Sequence, residues 1–169
     1  MIFLLLWLVA LMAAMVHVSV RGLWGHGLER AKVFLLYQLA IAFGLTGLLG
    51  FVGHGLRPAE TAARIGWPPS PNFQFELGSF ELGLGIAAFL GLLIRNKHYW
   101  LGLALPPSIF LLLAGLNHVH EALNGNFAPY NVGIIAPDFL IPVSTGWFLF
   151  RVFRVDRTQR SPASIGDGD

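Results

Sequence analysis

The chain has 169 residues, of which 55% are hydrophobic and only 12% are charged, against about 25% charged in soluble domains. This apolar excess indicates an integral membrane protein whose helices face lipid. The absence of cysteine excludes disulfides, thiolate zinc sites and iron–sulfur clusters, and the dispersed Lys and Arg offer no basic patch for nucleic acid.

Five segments are long and apolar enough for a membrane-spanning helix, which takes about 20 residues. They are Ile2–Val20, Val33–Gly53, Gln74–Ile94, Tyr99–Leu123 and Ile134–Phe150. No basic region precedes the first segment, so we interpret it as a retained helix, with a cleaved signal peptide as the alternative. We therefore predict an all-α polytopic bundle of about five transmembrane helices. Residues 1–155 form one domain, followed by a polar, flexible tail over 156–169.

The basic residues predict the orientation of these helices. If the N-terminus lies outside, nine of the eleven Lys and Arg fall on the cytoplasmic side, which satisfies the positive-inside rule. The nine are Arg21, Arg30, Lys32, Arg95, Lys97, Arg151, Arg154, Arg157 and Arg160. The C-terminus is then cytoplasmic, and the linkers His54–Phe73 and Asn124–Gly133 share the outer face.

The linker His54–Phe73 carries signals of its own. Pro58 followed by Ala, Glu and Thr predicts a short interfacial helix that ends near Gly66. Trp67 is a natural interface anchor, and Ser70 before Pro71 predicts an N-cap for the third spanning helix. In that helix Gly78, Gly83, Gly85 and Gly91 indicate close packing against a neighbour.

His118 and Glu121 stand at i, i+3 and, with Asn117, share one helical face. This is the spacing of carboxylate-bridged metal sites in helical bundles, and the remaining ligands would come from Glu76, Asp138 and His54. Imidazole and carboxylate ligands without sulfur suit a divalent or transition metal ion. The alternative is an interfacial His–Glu pair that hydrogen-bonds to the loop.

Three acids are candidates for catalytic proton transfer: Glu76, Glu81 and Asp138. Glu81 lies inside the third spanning helix, where an ionised side chain is costly unless it is paired. Its alternative role is a protonated, hydrogen-bonded acid between helices. Asp138 follows Pro137 and could simply favour a helix N-terminus. The loop residues Asn124, Asn126 and Asn131 are typical of turns, although their amides could also line a pocket.

From His54 to Pro142 the chain resembles a family of small bacterial membrane proteins catalogued as a domain of unknown function. The matching patterns are I-G-W-P at Ile65–Pro68, S-P-x-F-Q-x-E-x-G at Ser70–Gly78, H-x-x-E at His118–Glu121, N-x-N-F-A-P-x-N-x-G at Asn124–Gly133 and D-x-x-x-P at Asp138–Pro142. The resemblance implies a polytopic fold in the bacterial inner membrane and brings no reaction with it. In that family the position of Glu81 is usually an amide.

We expect a binding or accessory membrane subunit with an outward-facing polar pocket for a lipid, an apolar small molecule or a metal. Its partners would be membrane lipids, subunits of a larger membrane complex or further copies of itself. The alternative is a membrane-embedded enzyme that uses Glu, Asp and His as acid–base or metal-binding groups on a lipid-soluble substrate. Ion passage ranks third, because few titratable groups lie in the cytoplasmic halves of the helices.

Overall fold

The computed structural model of the chain describes residues 2–160, with side chains for residues 2–155. This range folds into α1 (Ile2–Val20), α2 (Gly27–Gly55), α3 (Pro58–Ile65), α4 (Pro71–Leu93), α5 (Lys97–Leu123) and α6 (Pro129–Arg160). All but α3 are long and apolar enough to cross a membrane, so the prediction of an all-α fold with five such helices is confirmed.

Four of these helices begin before the predicted segments, and α2 and α6 do so by the most residues. α2 begins at Gly27 instead of Val33, and its first turns carry an ion pair of 2.8 Å between Lys32 Nζ and Glu29 Oε1. α6 begins at Pro129 instead of Ile134 and continues past Phe150 to Arg160. Hydropathy marks only the apolar part of a helix, whereas the hydrogen-bond ladder continues into polar sequence. The predicted tail thus begins in helix, and its residues 161–169 lie outside the described range.

The short helix α3 follows its sequence signals closely. Pro58 occupies its first turn, and Gly66 terminates it in the left-handed conformation with φ 83°. Pro71 likewise opens α4 and Ser70 is its N-cap residue, as predicted, although the Ser70 side chain makes no capping hydrogen bond. The backbone of Ser70 (φ −143°, ψ 69°) lies outside the extended region in which capping side chains reach the helix.

α2 lies at the centre of the bundle and packs against α1, α4 and α6, while α5 packs along α6. Few large side chains are buried, and many large apolar side chains are exposed on the outer faces, as is typical of helices long and apolar enough to cross a membrane. α1 buries only Ala10, Ala14 and Val18, a stripe of residues spaced four apart. The apolar core between the other helices includes Leu35, Leu39, Trp100, Ile141 and Leu149.

Two stretches of α2 are π-helical, at Gln38–Leu45 and Phe51–Gly55. π-helical turns are rare and occur frequently at functional sites. The first stretch opens on Gln38, which is fully buried and whose amide has no hydrogen-bond partner among the described residues. The second contains His54, so the change in helical period alters the direction in which this side chain leaves the helix.

Glycines allow the backbones of α2 and α4 to touch. A Cβ at Gly47 would lie 2.5 Å from the Glu81 carbonyl oxygen and 2.9 Å from the Gly85 nitrogen. A Cβ at Gly78 would lie 2.5 Å from the Gly55 nitrogen. Small residues drive close association of helices in membranes, where lipid offers no hydrophobic advantage. Gly78 and Gly85 therefore pack as expected, whereas Gly83 faces open space.

The two long linkers lie at the same end of the bundle, which we call the α3 end. Trp67 Nε1, in the linker after α3, donates to Glu121 Oε2 at 2.7 Å, near the end of α5. Arg64 of α3 donates to the Tyr130 hydroxyl at 2.6 Å, in the first turn of α6. The predicted convergence of the linkers is therefore confirmed.

We predict that Gly47→Ala lowers the free energy of unfolding by about 1–3 kcal/mol, because the added methyl would meet backbone that cannot rotate away. The matched control is Gly83→Ala on α4, where a Cβ has open space. Helix propensity alone should leave that variant neutral or stabilise it by up to about 1 kcal/mol. Unfolding in detergent, followed by circular dichroism, measures both. Equal stability of the two variants would contradict the close α2–α4 contact.

Candidate functional site

A cavity of about 470 Å³ opens at the α3 end between α1, α2, α3 and α6, with one residue contributed by α5. Its volume falls within the range of about 300–1,000 Å³ that is typical of small-molecule sites. Its apolar walls come from Ile2, Phe3, Leu49, Val52, Ile65 and Ile134. Its polar lining consists of His54, Arg57, Glu60, Thr61, Arg64, His118 and Tyr130.

Charged groups line the cavity where α3 borders it. Arg64 Nη2 lies 2.5 Å from Glu60 Oε1, and Arg64 Nη1 donates to the Tyr130 hydroxyl at 2.6 Å. The hydrogen bond to Tyr130 raises the pKa of the Arg64 guanidinium, which therefore keeps its charge. Arg57, just before α3, is exposed and makes no ion pair or side-chain hydrogen bond within residues 2–155. Arg64 is thus neutralised locally, and Arg57 remains a free cation.

The His118 ring has three close neighbours. Its Nδ1 lies 2.7 Å from Asn131 Oδ1, and its ring stacks on Trp67 with 9° between the planes. Its Nε2 lies 4.0 Å from Asp138 Oδ2, which is too long for a hydrogen bond. Asp138 is only 2% exposed and packs against Gly115, and its Oδ2 has no hydrogen-bond partner among the described residues.

His54 is arranged in a similar way. Its Nδ1 contacts the Oε1 of Gln74, a fully buried residue on α4. Gln74 Nε2 has no hydrogen-bond partner within the described range. Two cavity histidines are thus each oriented through Nδ1 by a buried amide oxygen on another helix.

Glu81 lies behind the cavity wall. Its carboxyl group packs against Gly50 of α2, a lining residue, where a Cβ would come within 2.5 Å of Glu81 Oε2. Oε2 is buried and has no hydrogen-bond partner in the part of the chain described. An ionised Glu81 carboxylate would therefore have no hydrogen bond at Oε2 to offset the free-energy cost of a charge in apolar surroundings.

Glu121 does not line the cavity. Its carboxylate accepts hydrogen bonds from side chains of three segments of the chain. Oε2 accepts hydrogen bonds from Trp67 Nε1 at 2.7 Å and Asn126 Nδ2 at 2.7 Å, and Oε1 accepts one from Asn117 Nδ2 at 3.2 Å. Asn126 Nδ2 also donates to the Ile65 carbonyl at 3.0 Å. The linker after α3, the end of α5 and the α5–α6 loop are thereby fixed to one carboxylate.

The structure separates the residues that we expected to act together. His54 and His118 share the cavity, Asp138 lies beside His118, and Glu81 lies behind the wall, while Glu121 is engaged elsewhere. Glu76 is exposed on the outer face of α4. Among the described residues no group of three or more His, Asp or Glu lies close enough to hold a metal ion. His118 and Glu121 both contact Trp67, but their other partners differ: Nδ1 of His118 contacts Asn131, whereas the Glu121 carboxylate accepts from asparagines.

Two site residues were not identified as such from sequence: Gln74 appeared as the start of a spanning helix and Trp67 as an interface anchor. Asn131 was interpreted as a turn residue, with a pocket amide as the alternative, and its contact with His118 agrees with that alternative. Gln74 and Asn131 are both fully buried, and Trp67 covers His118. A usable signal was present for Gln74, because an amide at the start of an apolar helix must find a partner when it is buried.

We predict that Glu121→Gln lowers the free energy of unfolding by about 1–2 kcal/mol, because a carboxamide presents an N–H₂ group to a cluster made only of donors. Glu76→Gln, an exposed exchange of the same kind on α4, should change it by less than about 0.5 kcal/mol. Thermal unfolding in detergent followed by tryptophan fluorescence measures both. Equal effects of the two exchanges would show that the Glu121 cluster does not stabilise the α3 end.

Comparison with curated proteins and with solved structures found no match for this chain. Comparison with protein families found one described as a family of unknown function, DUF6790, whose match covers residues 1–158 and so includes every helix that contributes to the cavity. The chain belongs to this family of unknown function.

Proposed function

We propose that the protein is a membrane-embedded binding protein that holds an apolar small molecule in the cavity at the α3 end. The observation that carries this proposal is the cavity itself, which joins walls of aliphatic and aromatic side chains to a few oriented polar groups. Small-molecule sites commonly have this composition. The bilayer supplies the ligand, because a molecule that suits these walls partitions into lipid.

The cavity lies near one membrane surface. Its walls are the first residues of α1, the last turns of α2 and the first turns of α6, and α3 borders it at the end of the bundle. A bound molecule would place its apolar part among Leu49, Val52 and Ile134 and its polar part near the two histidines. Metal binding is left out of this proposal, because the described residues offer no cluster of three ligands.

A membrane-embedded enzyme is the second candidate, and the His118–Asp138 pair favours it. His118 Nε2 and Asp138 Oδ2 lie 4.0 Å apart, and both side chains are buried. Asp138 Oδ2 has no hydrogen-bond partner among the described residues. An oriented imidazole next to a carboxyl group is a common acid–base arrangement. Chemical change of the extracted ligand during incubation with the protein would distinguish the enzyme from the binding protein.

We further propose that the α3 end faces outward across the cytoplasmic membrane of a bacterium, with partners among membrane lipids, other membrane subunits or further copies of this chain. The distribution of charge supports the orientation, since Arg57 and Arg64 are the basic residues of the α3 end and the other nine belong to the opposite end.

The orientation predicts a labelling pattern in a chain that has no native cysteine. Cysteines introduced at Asn72 and Asn124 should react with a membrane-impermeant maleimide on intact bacterial cells. A cysteine at Gly25, in the turn between α1 and α2, should react only after permeabilisation. Reaction of Gly25→Cys alone on intact cells would reverse the orientation, and a split between Asn72→Cys and Asn124→Cys would contradict the fold.

The binding proposal predicts that Ile134→Trp, which fills the cavity, lowers the amount of apolar molecule that copurifies with the protein at least tenfold. Val132→Trp is the matched control, because Val132 lies two residues away on α6, is 43% exposed and does not line the cavity. Solvent extraction and mass spectrometry of protein purified from membranes measure the molecule, and thermal unfolding confirms that both variants fold. An unchanged amount in folded Ile134→Trp would contradict the proposal.

A further inference from the structure

Two imidazole rings are among the polar groups that line the cavity, and both are oriented through the same ring nitrogen. We infer that the bound molecule carries a hydroxyl group that donates a hydrogen bond to Nε2 of one of these rings, His118 or His54. This inference rests on the proposed binding function and names the chemical class of its ligand: an apolar alcohol or phenol.

The orientation of Asn131 determines which nitrogen of His118 bears the proton. Asn131 Nδ2 donates to two backbone carbonyls, that of Asn126 at 2.8 Å and that of His118 at 3.3 Å. Since a carbonyl can only accept, the nitrogen of the Asn131 amide must lie on that side, and its oxygen must face the ring. Asn131 Oδ1, at 2.7 Å from Nδ1, therefore requires His118 to donate from Nδ1. In the neutral ring, Nε2 is then an acceptor.

His54, which also lines the cavity, contacts an amide oxygen through Nδ1 in the same way. Gln74 Oε1 accepts from its Nδ1, so in the neutral ring the Nε2 of His54 carries the lone pair. No side-chain group within residues 2–155 occupies that atom. Asp138, which faces the Nε2 of His118, stops short of hydrogen-bond distance. The cavity thus presents two acceptor nitrogens whose natural complement is a donor on the ligand.

An anionic headgroup fits the lining less well. Arg64 is already paired with Glu60 and Tyr130, and Arg57 is exposed to water, where its attraction for an anion is weak. The inner lining contains acceptor nitrogens, which would repel the lone pairs of a carboxylate or phosphate. A hydroxyl donates to one of these acceptors without carrying a charge out of water.

Nitrogen-15 NMR of the full chain, labelled on histidine and held in lipid nanodiscs, tests the tautomers directly. His54→Leu and His118→Leu assign the two signals. We expect the neutral forms of both rings to carry the proton on Nδ1, and the Nε2 signal of at least one ring to shift when 1-dodecanol is added. Addition of dodecyl methyl ether, which fills the same space without a donor, should leave them unshifted. A neutral His118 with its proton on Nε2 would overturn the inference.

Affinity measurements in the same nanodiscs complete the test. We expect 1-dodecanol to bind about tenfold more tightly than its methyl ether, the effect of one well-formed hydrogen bond of roughly 1.4 kcal/mol. His118→Leu and His54→Leu combined in one chain should remove this preference while ether binding persists, which shows that the cavity is intact. His98→Leu, a matched control at the opposite end of α5, should keep the preference.

The outcomes separate the inference from the function on which it rests. Equal binding of alcohol and ether would overturn the hydroxyl inference and leave the binding proposal standing. A preference that survives both cavity substitutions would also overturn it, since the donor would then be received elsewhere. Failure of both probes to bind, together with the absence of any copurified apolar molecule, would overturn the binding proposal itself.

Discussion

The α3 end of the bundle depends on the carboxylate of Glu121. Its hydrogen bonds from Trp67, Asn126 and Asn117 join segments that are far apart in sequence. By fixing Trp67 it places the indole ring on His118, and by fixing Asn126 it shapes the loop whose carbonyl orients Asn131. A charged acceptor makes stronger hydrogen bonds than a neutral one, so a single side chain can organise this polar region. Glu121 thus acts on the cavity without touching it.

Polar groups within the spanning helices fall into two classes. At the α3 end His118 is paired with Asn131 and His54 with Gln74, and Gln74 Nε2 is the only buried side-chain atom there that lacks a partner among the described residues. Deeper groups, namely Gln38, Thr46, Glu81, Asp138 and Thr145, each contain a buried atom that has no partner among the described residues. Asn131, Asp138 and Thr145 recur every seven residues, so the buried face of α6 is polar at regular intervals. A buried polar group without a partner costs free energy in apolar surroundings. Apolar packing alone therefore does not account for the number of such groups inside the bundle.

Much of this architecture can be predicted from sequence because it depends on length, hydropathy and local signals. The five spanning helices, the helix from Pro58 to Ile65 and the shared end of the two linkers all follow from such patterns. For His118 and Glu121, the hydrogen bonds with Asn131 and Asn126 agree with the alternative in which this pair bonds to the loop. The contacts of both side chains with Trp67 could not be predicted, because Trp67 comes from a segment distant in sequence. The π-helical turns of α2 also change the direction of His54, which an analysis based on a period of 3.6 residues cannot anticipate.

The wall of the cavity that contains Ile2 and Phe3 belongs to α1, which has the smallest buried share of the five long apolar helices in the described range. α1 meets its neighbours through three small buried residues, with one side-chain hydrogen bond of 3.0 Å from Trp7 to Ser144 and another contact of 3.3 Å between His17 and Tyr37. Because α1 exposes most of its apolar surface and still contributes two residues to the cavity, a single helix forms this wall, and the size of the cavity depends on how closely that helix packs.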